Sequence, residues 1–267
     1  MAILTISRQY GSGGRDIGRR VADSLGYRFV DKERLFNDLD GMGANWGRLA
    51  RELDEVCPTL WERHDWQYRG YLAQLEALIL GYAAEDRVVI IGRGASFLLR
   101  GTPHCLRVRV VAPLAVRLER VMVRESLGRQ AAEKLITQVD RDRSSYLKIN
   151  YGSEGEREAE YDLTLDTGSL TFEEAADILR KGLAAKEPLA TPAAKAALER
   201  LALAYRLKAG IATDPRLLVP TLTVKVEGET LVISGVIHNP REIRLIKEIS
   251  RQVVGDRAVR LDLRHRV

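Results

Sequence analysis

Residues 3–27 read ILTISRQYGSGGRDIGRRVADSLGY. An apolar, β-branched run comes first, and its pattern predicts a strand over 2–7. The glycine-rich turn Gly11-Ser12-Gly13-Gly14 follows. Beyond it Ile17, Val21 and Leu25 recur at i, i+4 and i+8, which predicts a helix over 15–25 closed by Gly26. A strand, a glycine turn and a helix whose N-terminus faces the turn form an anion site. Backbone N–H groups point inward, the helix dipole adds partial positive charge, and glycine lets oxyanions approach the chain. Two phosphate-binding patterns nevertheless fail here as written. G-x-G-x-x-G, started from Gly11 and Gly13, ends on Asp16. G-x-x-x-x-G-K-[ST], with Gly13 as its second glycine, finds Arg8, Gly14 and Arg15 at the first glycine, the lysine and the hydroxyl. A ligand-free surface turn is the plainer reading of the same residues.

Further along, short apolar runs at 27–30, 87–92, 107–111 and 162–166 read as strands. Helical patterns at 68–84, 114–126, 129–149 and 171–185 lie between or after them, the last opening on Thr171 ahead of Glu173-Glu174. This alternation predicts an α/β fold, a parallel five-stranded sheet with flanking helices. Residues 41–66 fit no strand and read as a small helical insertion packed down by Trp46, Trp61 and Trp66. Composition shifts near 186–194, giving an expected division into a domain at 1–187, a linker at 188–194 and a second unit at 195–267. That unit reads α-β-β-α-β, a small α+β module.

In open parallel sheets, ligands bind beyond the carboxyl ends of the strands. Those ends carry Ser7-Arg8 and the glycine turn, Asp31, Gly92-Arg93-Gly94, and Asp166-Thr167-Gly168. Glycine, arginine and carboxylate at strand ends suit a phosphate site.

The chain has 267 residues, 45% hydrophobic and 30% charged, which supports a real core. Cys57 and Cys105 stand far apart, and the four histidines are scattered, so neither a disulfide framework nor a metal cluster is expected. No apolar run approaches the roughly 20 residues that span a bilayer, and a cytoplasmic protein is expected. Residues 195–267 carry 14 Lys and Arg against 8 Asp and Glu, whereas the rest is close to neutral. The overall charge of +5 therefore belongs to the C-terminal unit, where it is either a solvated surface or a face for an anionic partner.

The opening segment resembles that of cytidylate kinases, and its GSGGR loop is closer still to the cytidylate-kinase-like family. VVIIGRGASFLL (88–99), LRVRVVAPLAVRLERVM (106–122) and DLTLDTGSLTFEEAADIL (162–179) are similar, in order, to later segments of the same family. The resemblance implies a P-loop nucleoside monophosphate kinase using ATP and Mg²⁺. It implies that Gly11, Ser12, Gly13 and Gly14 cradle donor phosphates, with Arg8 or Arg15 supplying the charge of the missing lysine. Arg93 would bind the acceptor phosphate and Asp31 would lie near the acceptor nucleoside. Arg124, Arg129, Arg141 and Arg143 fall in or near the lid, and Arg15, Arg141 and Arg143 are the expected catalytic arginines. A nucleotide sensor with little or no transfer activity is the alternative. Residues 222–263 resemble a BON domain, which implies a regulatory or oligomerising attachment meeting a protein partner, another copy or an anionic surface through Arg241, Arg244, Lys247 and Arg251.

Overall fold

The computed structural model describes residues 2–43, 46–53, 65–155 and 157–265. The first strand, β1 (Ile3–Arg8), runs into the glycine turn and then α1 (Gly14–Leu25). There follow β2 (Arg28–Val30), α2 (Lys32–Gly41), α3 (Trp46–Glu52), α4 (Trp66–Ala84) and β3 (Val88–Ile91). A short α5 (Ala95–Leu98) leads to β4 (Cys105–Val111), α6 (Leu114–Glu125), α7 (Arg129–Tyr151), β5 (Leu163–Asp166) and α8 (Phe172–Lys186). All pairings in this first sheet are parallel, in the order β2-β3-β1-β4-β5. Placing β1 at the centre brings the ends of β1, β2 and β3 to one rim, where open α/β sheets bind ligands.

The strands alternate their side chains between two cores. Leu4, Ile6, Val89, Ile91, Val108 and Val110 face one side, which α1 and α8 cover with Ile17, Val21, Leu179 and Leu183. Ile3, Val30, Val88 and Ile90 face the other, against Leu35 and Leu39 of α2 and Leu75, Ile79 and Leu80 of α4. Trp46 is buried there and meets Trp66 at 6.1 Å between ring centroids. These two tryptophans pack the insertion as expected; Trp61 and Cys57 lie outside the described residues. Helix α2 was not anticipated. Its sequence is weakly patterned, and what starts it is Asp31, whose carboxylate caps the Arg34 amide at 3.2 Å.

The C-terminal unit comprises α9 (Pro192–Ala212), β6 (Thr223–Glu227), β7 (Thr230–Ile237), α10 (Pro240–Val254) and β8 (Val259–His265). Its small mixed sheet runs β6-β7-β8, antiparallel then parallel. Helix α9 contributes Leu198 to the first domain's core, and Ala204, Leu207 and Ile211 to the C-terminal one. It lies along α4, where Lys208 donates to the buried Glu76 at 2.8 Å. Among the described residues, no helix is long and apolar enough to cross a membrane.

Candidate functional site

The glycine turn takes its shape from residues that leave no room for side chains. Gly11 and Gly13 hold φ of 80° and 83°, in the left-handed region. A Cβ on Gly13 would lie 2.2 Å from the Phe172 ring. Gly13 is the N-cap of α1 and supplies no side-chain cap, so the first amides of the helix remain directed at the cavity. The turn is braced from behind. Thr167 Oγ1 donates to the Ser12 carbonyl at 2.8 Å, and Arg120 donates to Thr167 Oγ1 and to its carbonyl, both at 2.8 Å. Ser12 itself is buried, its hydroxyl donating to the Gln9 carbonyl at 2.9 Å.

Two adjoining cavities open here, sharing Arg8, Gln9 and Arg143 in their walls. The larger, of about 470 Å³, is lined by Gly11, Gly13, Gly14, Arg15, Asp31 and Arg124 among others. The smaller, of about 80 Å³, reaches Arg93, Gly94, Ser96, Arg109 and Tyr146. Arg93 is 1% exposed and holds φ of 56°, between Gly92 and Gly94 at 74° and 73°. A non-glycine residue kept in that region is a local strain that the surroundings must enforce. Here Gly94 is closed over by Tyr151, whose ring would meet a Cβ at 2.1 Å, and the Arg93 guanidinium stands 5.1 Å over the Phe36 ring. Burial, with the nearby guanidiniums of Arg8 and Arg143 adding to it, pulls Arg93 down to about 9. It still carries its charge at neutral pH.

Helix α7 forms the opposite wall. Its Asp140 accepts from the Tyr10 amide at 2.7 Å and from the buried Arg117, tying the helix to the glycine turn. Arg143 donates to the Arg8 carbonyl at 3.3 Å and lies 5.6 Å over the Tyr10 ring. Arg124 also stands over the Tyr10 ring, 4.7 Å from its centroid, and bonds Glu125.

The expected residues thus divide. Arg8, Gly11, Gly13, Gly14, Arg15, Asp31, Arg124 and Arg143 share one cavity, and Arg8 and Arg143 also reach Arg93 in the other. Ser12 sits beneath the turn instead of lining it. Arg141 is exposed on α7 and lines neither cavity, and the same is true of Arg129. Helical spacing explains the difference: Ile136, Asp140, Arg143 and Tyr146 share the inward face, and Arg141 projects from another. Arg15 is drawn sideways, donating to Asp31 Oδ2 through Nε at 3.2 Å and Nη2 at 2.7 Å, with Glu33 at 3.5 Å. Burial raises the Asp31 carboxyl, but the Arg34 amide and Arg15 outweigh it and hold it below its usual range. The bracing by Tyr10, Arg117, Arg120 and Asp140 was missed in the sequence. The DRDR run at 140–143 was a usable signal, had its helical phase been taken into account.

A model of the Cytidylate kinase-like family matches residues 3–169, more than half of the chain and all of the cavity-lining segments. The chain belongs to the cytidylate kinase-like family. The cytidylate kinase-like chain is 29% identical over 195 residues to the cytidylate kinase of Methanopyrus kandleri, covering 70% of this chain and 94% of that one. It is also 34% identical over 107 residues to a uronate isomerase of Corynebacterium glutamicum. That match covers 40% of this chain but spans only 21% of the isomerase. Among solved structures, an uncharacterized protein from Eubacterium ventriosum aligns over 69% of this chain and 99% of its own, with a TM-score of 0.55 at 20% identity, a likeness of fold. The parallel five-stranded sheet with flanking helices is therefore the fold expected from the sequence.

A Mg²⁺ ion held by this cytidylate kinase-like loop would need the hydroxyl that Arg15 replaces. Of the carboxylates that line the cavity, Asp31 is committed to Arg15 and the Arg34 amide. Among the described residues there is no group of three or more metal-ligating side chains. The loop lacks the hydroxyl ligand, and a divalent metal here would rest on cavity carboxylates such as Asp16 and Asp142 together with nucleotide phosphates.

Proposed function

We propose that this protein transfers the γ-phosphoryl group of ATP to a nucleoside monophosphate, CMP before others. The observation that carries the reading is the placement of the glycine turn and the buried Arg93 on two cavities joined through Arg8 and Arg143. Phosphoryl transfer asks little covalent chemistry of a protein; alignment and positive charge do most of the work. The amides of the turn and the start of α1 would hold the donor phosphates. Arg93 would fix the acceptor phosphate, and Arg143, on α7, would meet the group in flight. Closure of α7 over the cavity would exclude water. The names of relatives such as the Methanopyrus enzyme are what favour CMP. Any metal would arrive with the nucleotide, and no step here is routed through it.

A nucleotide sensor with little transfer activity is the second reading, favoured by the Arg15–Asp31 pair where a metal-binding hydroxyl would stand. In either case the C-terminal unit, which resembles a BON domain in sequence, would act as a regulatory or oligomerising attachment. Arg241, Arg244, Lys247 and Arg251 are all exposed on α10, as an anionic partner requires. A panel of nucleoside monophosphates against ATP and GTP, with product detection, separates the readings. Turnover highest with CMP is expected. ATP binding without product from any acceptor would leave the sensor, and no nucleotide binding would remove both.

A further inference from the structure

Two of the three departures from the Walker pattern are six positions apart in the chain and in contact in space. Arg8 stands at the pattern's first glycine and Gly14 at its lysine. A Cβ on Gly14 would lie 2.9 Å from the Arg8 Cβ, and 3.3 Å from both Ile6 Cγ2 and Val110 Cβ. Gly14 is buried against β1. At that distance side chains at 8 and 14 exclude one another, while the 3.3 Å contacts to Ile6 and Val110 need only a small shift to admit one at 14. By strand alternation Arg8 continues the row of Leu4 and Ile6, the row that faces α1. Its side chain therefore leaves the sheet directly under the glycine turn, and it lines both cavities.

We infer that the cation of the phosphate site has moved from the first turn of α1 to the last residue of β1. Arg8 takes the part of the lysine, and Gly14 is the hollow that admits it. This rests on the donor-phosphate reading above and decides between its two arginines. Arg15 is the weaker candidate on geometry. Its guanidinium is bound by Asp31 at 2.7 Å and faces Glu33, so its charge is spent on carboxylates at the rim. Arg8 lines both cavities, together with Arg143, and so stands where the two join. From the end of β1 a planar fork spans both cavities and contacts the donor phosphates on the side where transfer occurs. A lysine on α1 would approach from the helix side.

The exchange makes a reversible test. ATP is titrated calorimetrically into wild type, Arg8→Met, Gly14→Lys and the double variant Arg8→Gly/Gly14→Lys, and each protein is melted. Arg8→Met keeps the Cβ and stem but removes the charge. It should weaken ATP about 10- to 100-fold, the loss of a charge-assisted hydrogen bond or two. The double variant rebuilds G-x-x-x-x-G-K and should regain most of that affinity. It should also melt above Gly14→Lys alone, because removing the Arg8 Cβ makes the room that the new lysine needs. Wild-type affinity in Arg8→Met overturns the inference. So does a double variant that melts no higher than Gly14→Lys, or one that folds and recovers no affinity. If wild type itself does not bind ATP, the donor-phosphate reading falls, and this inference with it.

Discussion

Arg93 combines three unusual circumstances in one residue: near-complete burial, a left-handed backbone, and two neighbouring guanidiniums. Burying a cation costs several kcal/mol of desolvation, about 3 or more, unless something anionic repays it. Under the proposed function an acceptor phosphate contributes to that repayment. Burial pulls Arg93 down to about 9, and the residue binds an anion only while protonated. The acceptor's kcat/KM should therefore be level through neutral pH and decline as the pH rises past about 9, since kcat/KM reports the free enzyme. A profile still flat at about one and a half units above that point would remove Arg93 from the acceptor site. Arg93→Met should raise the acceptor KM about 10- to 100-fold while ATP affinity changes far less. Equal losses for both nucleotides would mean general damage to the fold.

Among the elements, α7 is tied to the glycine turn by the Asp140 carboxylate as well as by Arg143. Asp140 joins the Tyr10 amide to Arg117, and Arg117 is 8% exposed, with the Ala112 carbonyl at 3.0 Å and the Tyr10 carbonyl at 3.4 Å as its other acceptors. Removing the carboxylate leaves a buried guanidinium short of one partner. Asp140→Ala should thus cost about 2 kcal/mol in denaturant unfolding, less than a fully unpaired buried charge because the carbonyls remain. It should also increase hydrolysis of ATP relative to transfer, since a loosened α7 admits water. Unchanged stability together with an unchanged ratio would detach α7 from this role. The same helix shows how far sequence reading reached. Its span was plain from the pattern at 129–149, and the structure extends it to Tyr151. Its facing was not: Arg141 and Arg143 look alike as letters, and their difference is about 200° of helical phase.

At the scale of the whole molecule, the C-terminal unit is fastened through α9. Glu76 is 4% exposed, and Lys208, from 132 residues further along, is its partner at 2.8 Å. Burial raises the Glu76 carboxyl, and the pull of Lys208 lowers it by less. With a folded-state value above the unfolded one, the contribution of Glu76 to stability is complete below the unfolded value and declines as pH rises through the folded one. Lys208→Met should cost about 3 kcal/mol by stranding a buried carboxylate. Adding Glu76→Leu should recover most of the loss, because a packed apolar pair replaces the ionic one at little net change. A denaturant series on the three proteins measures this, and a double variant no better than the single would mean that the pair is not coupled.

Local rules sufficed for the succession of strands, the parallel sheet and the rim on which its loops gather. Each depends on neighbours within a few residues: alternation in strands, 3.6-residue recurrence in helices, glycine where the turn must be left-handed. The family resemblance was likewise legible, because GSGGR, GRG and DTG are short contiguous strings. Tertiary structure alone decided which arginines look into the cavity, that Asp31 is engaged by Arg15, and that Gly14 makes way for Arg8. Those are relations between side chains brought together by the sheet, and charge carries no direction until the backbone around it is placed.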